Sequence, residues 1–583
     1  MTTPRLPQND PDTESRTRQL EDRRDDYRFV HDWPAGIATS SWLPSESDYS
    51  TEYKAKTVGI YAEIGANMAA VVLRRSEDGV LSRLRGVANV LESVDPDNLA
   101  RDFFDHPQTA AATADEHYHP EGMQEYAEIF QVFDTPDIVA KIDDDATQPD
   151  AIAWQRIAGV NPTVLARCTE LPEGFAVTED HVQRAIGDSL EAALAEGRAF
   201  LADYRALEGV PCGITEGGTQ KYLAAPMALY IAKEGQLRSV AVQCGSDASR
   251  YPVRVPGDGW HWRMACQCVQ VADANHHEGS AHLGRTHMVM EAVTVSMKRE
   301  LAPNHPLALL LEPHTETTLA IDHSAKTSLI ARGGTVDTVF AAQIRSFGDF
   351  VNGQVKSWSI RDTDPRVQMA KRGLDDTDVL PVHPYRDDVG PVWDAIRTYI
   401  GDYLRLYYPD DATVRADHEV QAFVRTLGSE AGGRLHDVPE CNGFDDLHGL
   451  ITSLVFTASA QHSAVNFPQY RFMGYMPNMA GAMFAPVPDV NTPNTEEAYL
   501  HLLPPGKITA TGVTTVFLLS HVRDTVLGHY RPDAFSDRRV PAAIARFQAD
   551  LRNVEAGCKR RDAERWLPYP YLHPSQILQS ISI

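Results

Sequence analysis

Apolar residues recur every three or four positions along several long windows of this chain, the spacing that gathers them on one face of an α-helix. Such windows cover residues 181–207, 262–301, 390–408 and 447–464, and residues 61–75 (YAEIGANMAAVVLRR) have the same character. Two short runs alternate instead, residues 222–231 and 237–243, and they flank Glu234–Gly235. That arrangement predicts an antiparallel hairpin with its turn at the Glu-Gly pair. The pattern as a whole predicts a mainly α protein with small antiparallel β-sheets. Residues 1–30 are polar, charged and proline-bearing, too poor in apolar surface to order themselves, and are expected to form a loose tail. From residue 31 to 583 there is no Gly/Ser linker, low-complexity tract or fixed-period repeat, so this stretch is expected to be a single domain.

Composition narrows the class. The formal net charge of the 583 residues is −26, a poor match for nucleic acid, whose phosphates would be repelled. Seven cysteines are scattered without a CxxC pair, which argues against a disulfide scaffold or a zinc knuckle. No apolar run approaches the roughly 18 residues of a membrane helix, and the polar opening is not a secretory signal. A cytoplasmic protein is expected.

Chemistry concentrates in residues 262–314. Between Leu283 and Leu301 apolar residues fall on nearly every face, the mark of a buried helix. His276, His277, His282 and His287 lie on or just before it, and a buried imidazole needs a partner. One such histidine reads as a hydrogen-bonded core residue; four within so short a span shift the balance towards ligation. A zinc peptidase would need HExxH, whereas here the string is His277-Glu278-Gly279-Ser280-Ala281-His282. Five residues turn a regular α-helix by roughly 140°, so His277 and His282 diverge. His282 and His287 are also five apart, and a π-bulge, with its i to i+5 bonding, would bring them onto one face. Downstream, FTASAQHSAVNFPQY places His462 and Asn466 four apart on one face of an apolar helix. Asn466 alone reads equally well as a side chain bonded to a neighbouring carbonyl.

Several motifs in order give the chain a resemblance to the lipoxygenases, non-haem iron fatty-acid dioxygenases. It begins at Asp144-Asp145-Ala146 and QRIAGVNP (155–162) and continues through KYLAAPMALY (221–230) and LRSVAVQ (237–243). The helix HExxxHLxxTH (277–287), RELAPNHP (299–306), LLEPH (310–314), HSAVNFPQY (462–470) and the final Ser-Ile-Ser-Ile complete it. The resemblance implies a large helical catalytic domain around a long buried metal-binding helix. It implies His282, His287 and His462 as imidazole ligands of one iron, Asn466 as a weaker ligand through its side-chain oxygen, and Ile583 as a ligand through its terminal carboxylate. Imidazole and carboxylate suit iron; manganese is disfavoured because the family's manganese members end in valine. Glu278 and Gln469 fall where relatives link these ligands to the substrate cavity. The implied reaction is removal of a hydrogen atom by ferric hydroxide from the methylene of a cis,cis-1,4-pentadiene, then capture of O2 to give a hydroperoxide. Polyunsaturated fatty acid and O2 are the implied partners, with at most transient membrane contact and a monomeric state.

Within the family pattern, Ala325 stands where alanine accompanies S hydroperoxides and glycine R. Leu329 and Val336 fall on the oxygen-access side. Val339 and Phe340 fall where pocket depth is set, and the bulk of Phe340 leans towards oxygenation at carbon 13 of linoleate or 15 of arachidonate. Three departures stand out. Ala265-Cys266 replaces the usual Ala-Lys. Ser324 replaces an arginine that tethers the substrate carboxylate in some animal enzymes, with Lys326 nearby. The N-terminal β-sandwich has no room, and residues 31–140 are expected to form a helical lid or support. Two other functions use the same fold: a hydroperoxide isomerase and a catalytically silent lipid-binding protein. GITEGGT (213–219) lacks the GKS/T of a phosphate loop and reads as a turn, and Asp143-Asp144-Asp145 reads as a solvated helix start.

Overall fold

The computed structural model describes residues 3–75 and 120–583. An unbroken helical path runs from α-helix Trp260–His276 through a π-helical stretch His277–Met288 into α-helix Val289–Glu300. Nearly every side chain along it is buried, as its all-round apolar character predicts. A second composite helix packs against it, Phe444–Phe456, then a π-turn Thr457–Gln461, then His462–Asn466. Further helices surround this pair in one large hydrophobic core.

The β-structure is small. A four-stranded antiparallel sheet has the order Ala166–Arg167, Ala199–Asp203, Met227–Lys233, Gln236–Gln243. The hairpin turn falls at Glu234 (φ 54°) and Gly235 (φ 75°), the double left-handed geometry that matches strand twist. GITEGGT is likewise a turn, with the amide of Thr215 donating to the carbonyl of Thr219 at 2.9 Å. The C-terminal residues are buried throughout from Ile577 to Ile583 and thread into the centre. His314 Nδ1 lies 2.9 Å from the Gln579 carbonyl, and the Leu578 amide donates to Ser463 Oγ at 3.2 Å. Tyr53, on helix Thr51–Arg75, donates its hydroxyl to the Ser582 carbonyl.

Three expectations need correction. Residues 181–207 are not one helix: Glu179–Ile186 and Leu190–Ala195 are separated by Gly187 (φ 61°), and a strand begins at Ala199 after Gly197 (φ 68°). Left-handed glycines stop a helix that apolar spacing alone would continue. Residues 13–26 of the expected loose tail form helix Thr13–Asp26, capped by Asp12. Arg16 is buried against Glu419 (2.8 Å) and Arg24 meets Glu300 (2.7 Å). The segment is held by ion pairs to the body, which a count of apolar residues does not register. Asp143 ends helix Ile138–Asp143 rather than starting one, and accepts a hydrogen bond from the Tyr475 hydroxyl at 2.7 Å, while Asp145 pairs with Arg263 at 2.7 Å. Of the expected lid or support region 31–140, residues 31–75, which include helix Thr51–Arg75, and residues 120–140 are in view, and residues 76–119 lie outside the described residues.

Candidate metal centre

The π-helical stretch does what a regular helix would not. It widens the turn so that His282 and His287, five apart, face each other with ring centroids 4.9 Å apart and Nε2 atoms 3.3 Å apart. Its two glycines make room: a methyl at Gly279 would lie 2.6 Å from the Phe350 ring, and one at Gly284 would lie 2.7 Å from the Gly279 carbonyl. His462, at the start of the short helix after the second π-turn, completes a triangle, 5.4 Å from His282 and 5.0 Å from His287 between centroids. One nitrogen from each ring lies within 4.8 Å of the others, and all three side chains are buried.

The outer nitrogens are fixed by carboxylates. His282 Nδ1 sits 3.2 Å from Glu278 Oε2 and His287 Nδ1 sits 2.7 Å from Asp322 Oδ1. With Nδ1 as donor, each Nε2 presents a lone pair to the centre. Two lone pairs at 3.3 Å repel unless a cation stands between them. Both ring nitrogens of His462 are buried without a hydrogen-bond partner. Such orphaned groups are costly, and a metal ion would satisfy them. Burial holds all three imidazoles below their usual protonation range, His287 at about 4, and for His462 the other two rings push the same way. Neutral imidazole is the form that ligates. These residues therefore fit a metal of imidazole preference.

The other expected site residues are placed as follows. Asn466 is fully buried; its Nδ2 donates to the Leu519 carbonyl (2.8 Å) and its Oδ1 accepts from Gln469 Nε2 (2.8 Å). The bond to a neighbouring carbonyl thus exists alongside any role as ligand. Ile583 is buried, and its backbone, near His462, opposes the lowering that burial imposes on that imidazole. Glu278, Gln469, Leu329, Val336, Val339 and Phe340 all line a narrow, mostly apolar cavity together with Met473, Met476, Thr515 and Leu519. Ala325 is buried at the head of a π-turn, Ala325–Leu329, and does not line that cavity. Lys326 is committed elsewhere, to Glu291 (2.8 Å) and the Ser40 carbonyl (3.2 Å).

Two of the four clustered histidines are core residues. His276 Nδ1 meets Asn161 (3.1 Å), and His277 Nε2 meets the Val465 carbonyl (2.9 Å), tying the two long helices together. The sequence reading missed Asp322, whose only signal is a lone acid inside the apolar run TLAIDHSAK. It also passed over Lys221, buried, whose Nζ donates to the carbonyls of Asp337 and Phe340 and clasps the cavity-wall helix Thr335–Val339. Burial brings the Lys221 ammonium down to about 8.

Known proteins agree with this architecture. The family profile described as Lipoxygenase matches residues 51–568. The linoleate 9/13-lipoxygenase of Pseudomonas aeruginosa is 37% identical over 487 residues, covering 79% of this chain and 70% of that one. The allene oxide synthase-lipoxygenase protein of Plexaura homomalla is 32% identical over 460 residues, 74% of this chain and 43% of its own length. A crystal structure of a lipoxygenase variant in complex with arachidonate superposes with a TM-score of 0.86 at 26% identity, covering all of this chain and 84% of that one. A family match over most of the chain, a relative of this identity aligned over more than two thirds of both sequences, and the shared fold lead to one conclusion: the chain belongs to the lipoxygenase family.

Proposed function

We propose that His282, His287 and His462 hold one non-haem iron, with Asn466 and the terminal carboxylate of Ile583 as further ligands, and that the protein dioxygenates cis,cis-1,4-pentadiene fatty acids to S hydroperoxides. One observation carries this reading: three buried imidazoles converge beside an apolar cavity, and both nitrogens of one of them, His462, have no hydrogen-bond partner. Iron bound there would supply the one-electron oxidation that removes a hydrogen atom from the substrate methylene. Glu278 and Asp322 keep the inner nitrogens of their histidines free of protons. Gln469 orients the Asn466 amide and reaches the cavity, joining the two. Leu329, Val336, Val339 and Phe340 hold an acyl chain dry and fix which methylene faces the centre, a kind of alignment whose loss costs on the order of 100-fold. Ala325 underlies the S assignment, and Phe340 the preference for carbon 13 of linoleate or 15 of arachidonate. The names of the relatives above support linoleate and arachidonate as the substrate class. On this reading the protein works as a cytoplasmic monomer that touches membranes transiently to collect its substrate; among the described residues no helix is long and apolar enough to span one.

The test is conjugated-diene absorbance after linoleate is added in air to purified protein of measured iron and manganese content, followed by chiral analysis of the product. A steady rise giving the 13S product with iron bound is the expected result. No rise with iron bound overturns the dioxygenase reading. A fatty-acid hydroperoxide added next then separates an isomerase, which consumes it, from a silent lipid-binding protein, which does not.

A further inference from the structure

A second cavity adjoins the π-helical stretch and shares no lining residue with the apolar one. Arg285, between His282 and His287 in sequence, and Arg372, just past helix Pro365–Lys371, both line it. Among the described residues neither guanidinium pairs with a carboxylate. Arg372 donates to the carbonyls of Pro162 (3.0 Å) and Leu165 (3.1 Å), and Arg285 to the side-chain oxygen of Gln354 (3.2 Å). Arg285 Nε is buried without a partner. The one acid in the cavity wall, Asp362, is engaged by Lys371 at 2.6 Å. A third donor faces the same space. The Tyr385 hydroxyl donates to Gln461 Oε1 at 2.7 Å, which leaves the Gln461 amide nitrogen as a donor.

Two half-buried cations side by side, without a counter-ion, are an unusual expense in a fold that pairs most of its other enclosed charges. Burial pulls Arg372 down to about 10; Tyr385 opposes that shift and the neighbouring charge of Arg285 adds to it. A guanidinium presents its donors as a planar fork that matches carboxylate and phosphate oxygens. We propose that this cavity is an oxyanion-binding site that takes a carboxylate or phosphate group between Arg285 and Arg372, with the Gln461 amide as a further donor.

Its position gives it a consequence. Arg285 lies between two residues of the histidine triangle and Gln461 immediately precedes the third, so a bound anion braces both helices that carry the triangle. That coupling rests on the metal reading; the binding itself does not.

The test is thermal unfolding of the full chain against inorganic phosphate and against octanoate, with ionic strength held constant by sodium chloride. A saturable rise in Tm with either anion is expected, weakened at least about tenfold in affinity in Arg285→Gln, because a charge-assisted pair is lost. Asp362→Asn, which keeps both arginines and removes the negative charge in the cavity wall that repels an anion, is expected to bind several-fold tighter. A response to phosphate alone identifies an inorganic or phosphoryl ligand; a response to octanoate that exceeds acetate identifies a lipid carboxylate. A Tm that follows ionic strength alone overturns the proposal, as does a variant of either kind that binds as the wild type does.

Discussion

Two buried polar clusters sit on the same long helix, and they are built to opposite ends. In the first, Asp273 meets Arg156 at 2.8 Å, Tyr204 at 2.7 Å and Asn161 at 2.9 Å, while Gln270 joins Arg156 (2.6 Å) and Gln155 (2.8 Å). Gln155 continues to Asn478 at 2.8 Å. Positive charge answers negative within the chain, and of the atoms joined here only Arg156 Nε and Asp273 Oδ2 lack a hydrogen bond, the latter lying in the ion pair with Arg156. In the second, which begins nine residues further on at His282, three imidazoles turn nitrogens towards one another and both nitrogens of His462 are left without a hydrogen bond. The first cluster balances its own charge and holds helices Gln148–Ala158 and Trp260–His276 together. The second is incomplete within the chain, and a cation would complete it. A buried polar group tells little until its partners are counted; here convergence of three imidazoles, one of them wholly unpartnered, points to a ligand.

The comparison breaks most sharply on substitution in each cluster. His462→Ala should abolish metal binding and oxygenation to background, yet leave the metal-free protein no less stable, because it removes orphaned buried atoms rather than satisfied ones. Metal analysis beside thermal unfolding reads both effects. Asp273→Asn should do the reverse: stability falls by about 3–5 kcal/mol because Arg156 is left buried and unpaired, while metal content per folded molecule stays the same. If Asp273→Asn lost the metal first, the two clusters would not be independent.

A finer division lies inside the second cluster. Asp322→Asn keeps the shape but removes the carboxylate from His287, and should weaken metal affinity by about 10–100-fold, read by competition with a chelator and by the spectrum of the ferric site. Acid offers a contrast that needs no mutation. His276 and His314, both outside the ligand set, are held by burial at about 4 against an ordinary 6.5. The unfolded chain therefore binds protons that the folded one refuses. Stability is fully present above about pH 6.5 and is lost as pH falls towards 4, by on the order of 3 kcal/mol for each histidine. Denaturant midpoints across that window check it. The smallest expected effect is at the cavity wall. A methyl at Gly512 would make contact with Met476 (3.4 Å) and Val339 (3.5 Å) without displacing backbone. Gly512→Ala should keep the fold and the metal and shift only the distribution of product positions, measured by chromatography of the hydroperoxides.

Much of this was legible in the chain itself. The all-round apolar window foretold the central helix, and the Glu234–Gly235 pair foretold the hairpin, because both signals are local: burial on every face and two left-handed residues in a row. The spacing of His282 and His287 posed the right question, and Gly279 and Gly284 were the residues that permit its answer. The Thr13–Asp26 helix was not legible, since Arg16 finds Glu419 some four hundred positions away. Nor were the partners of His276 and His277, which the sequence left outside the ligand set and which in space bond to Asn161 and the Val465 carbonyl.

What the sequence determined by itself was the kind of donors available, the long apolar helix to carry them, and the family order of its motifs. Tertiary structure alone decided which nitrogens go unpaired. That outcome depends on Asp322 reaching His287, Val465 taking up His277 and the C-terminal residues arriving beside His462. A hydrogen bond is made or left unmade by distance and angle, and those are set only when segments remote in the chain are packed together.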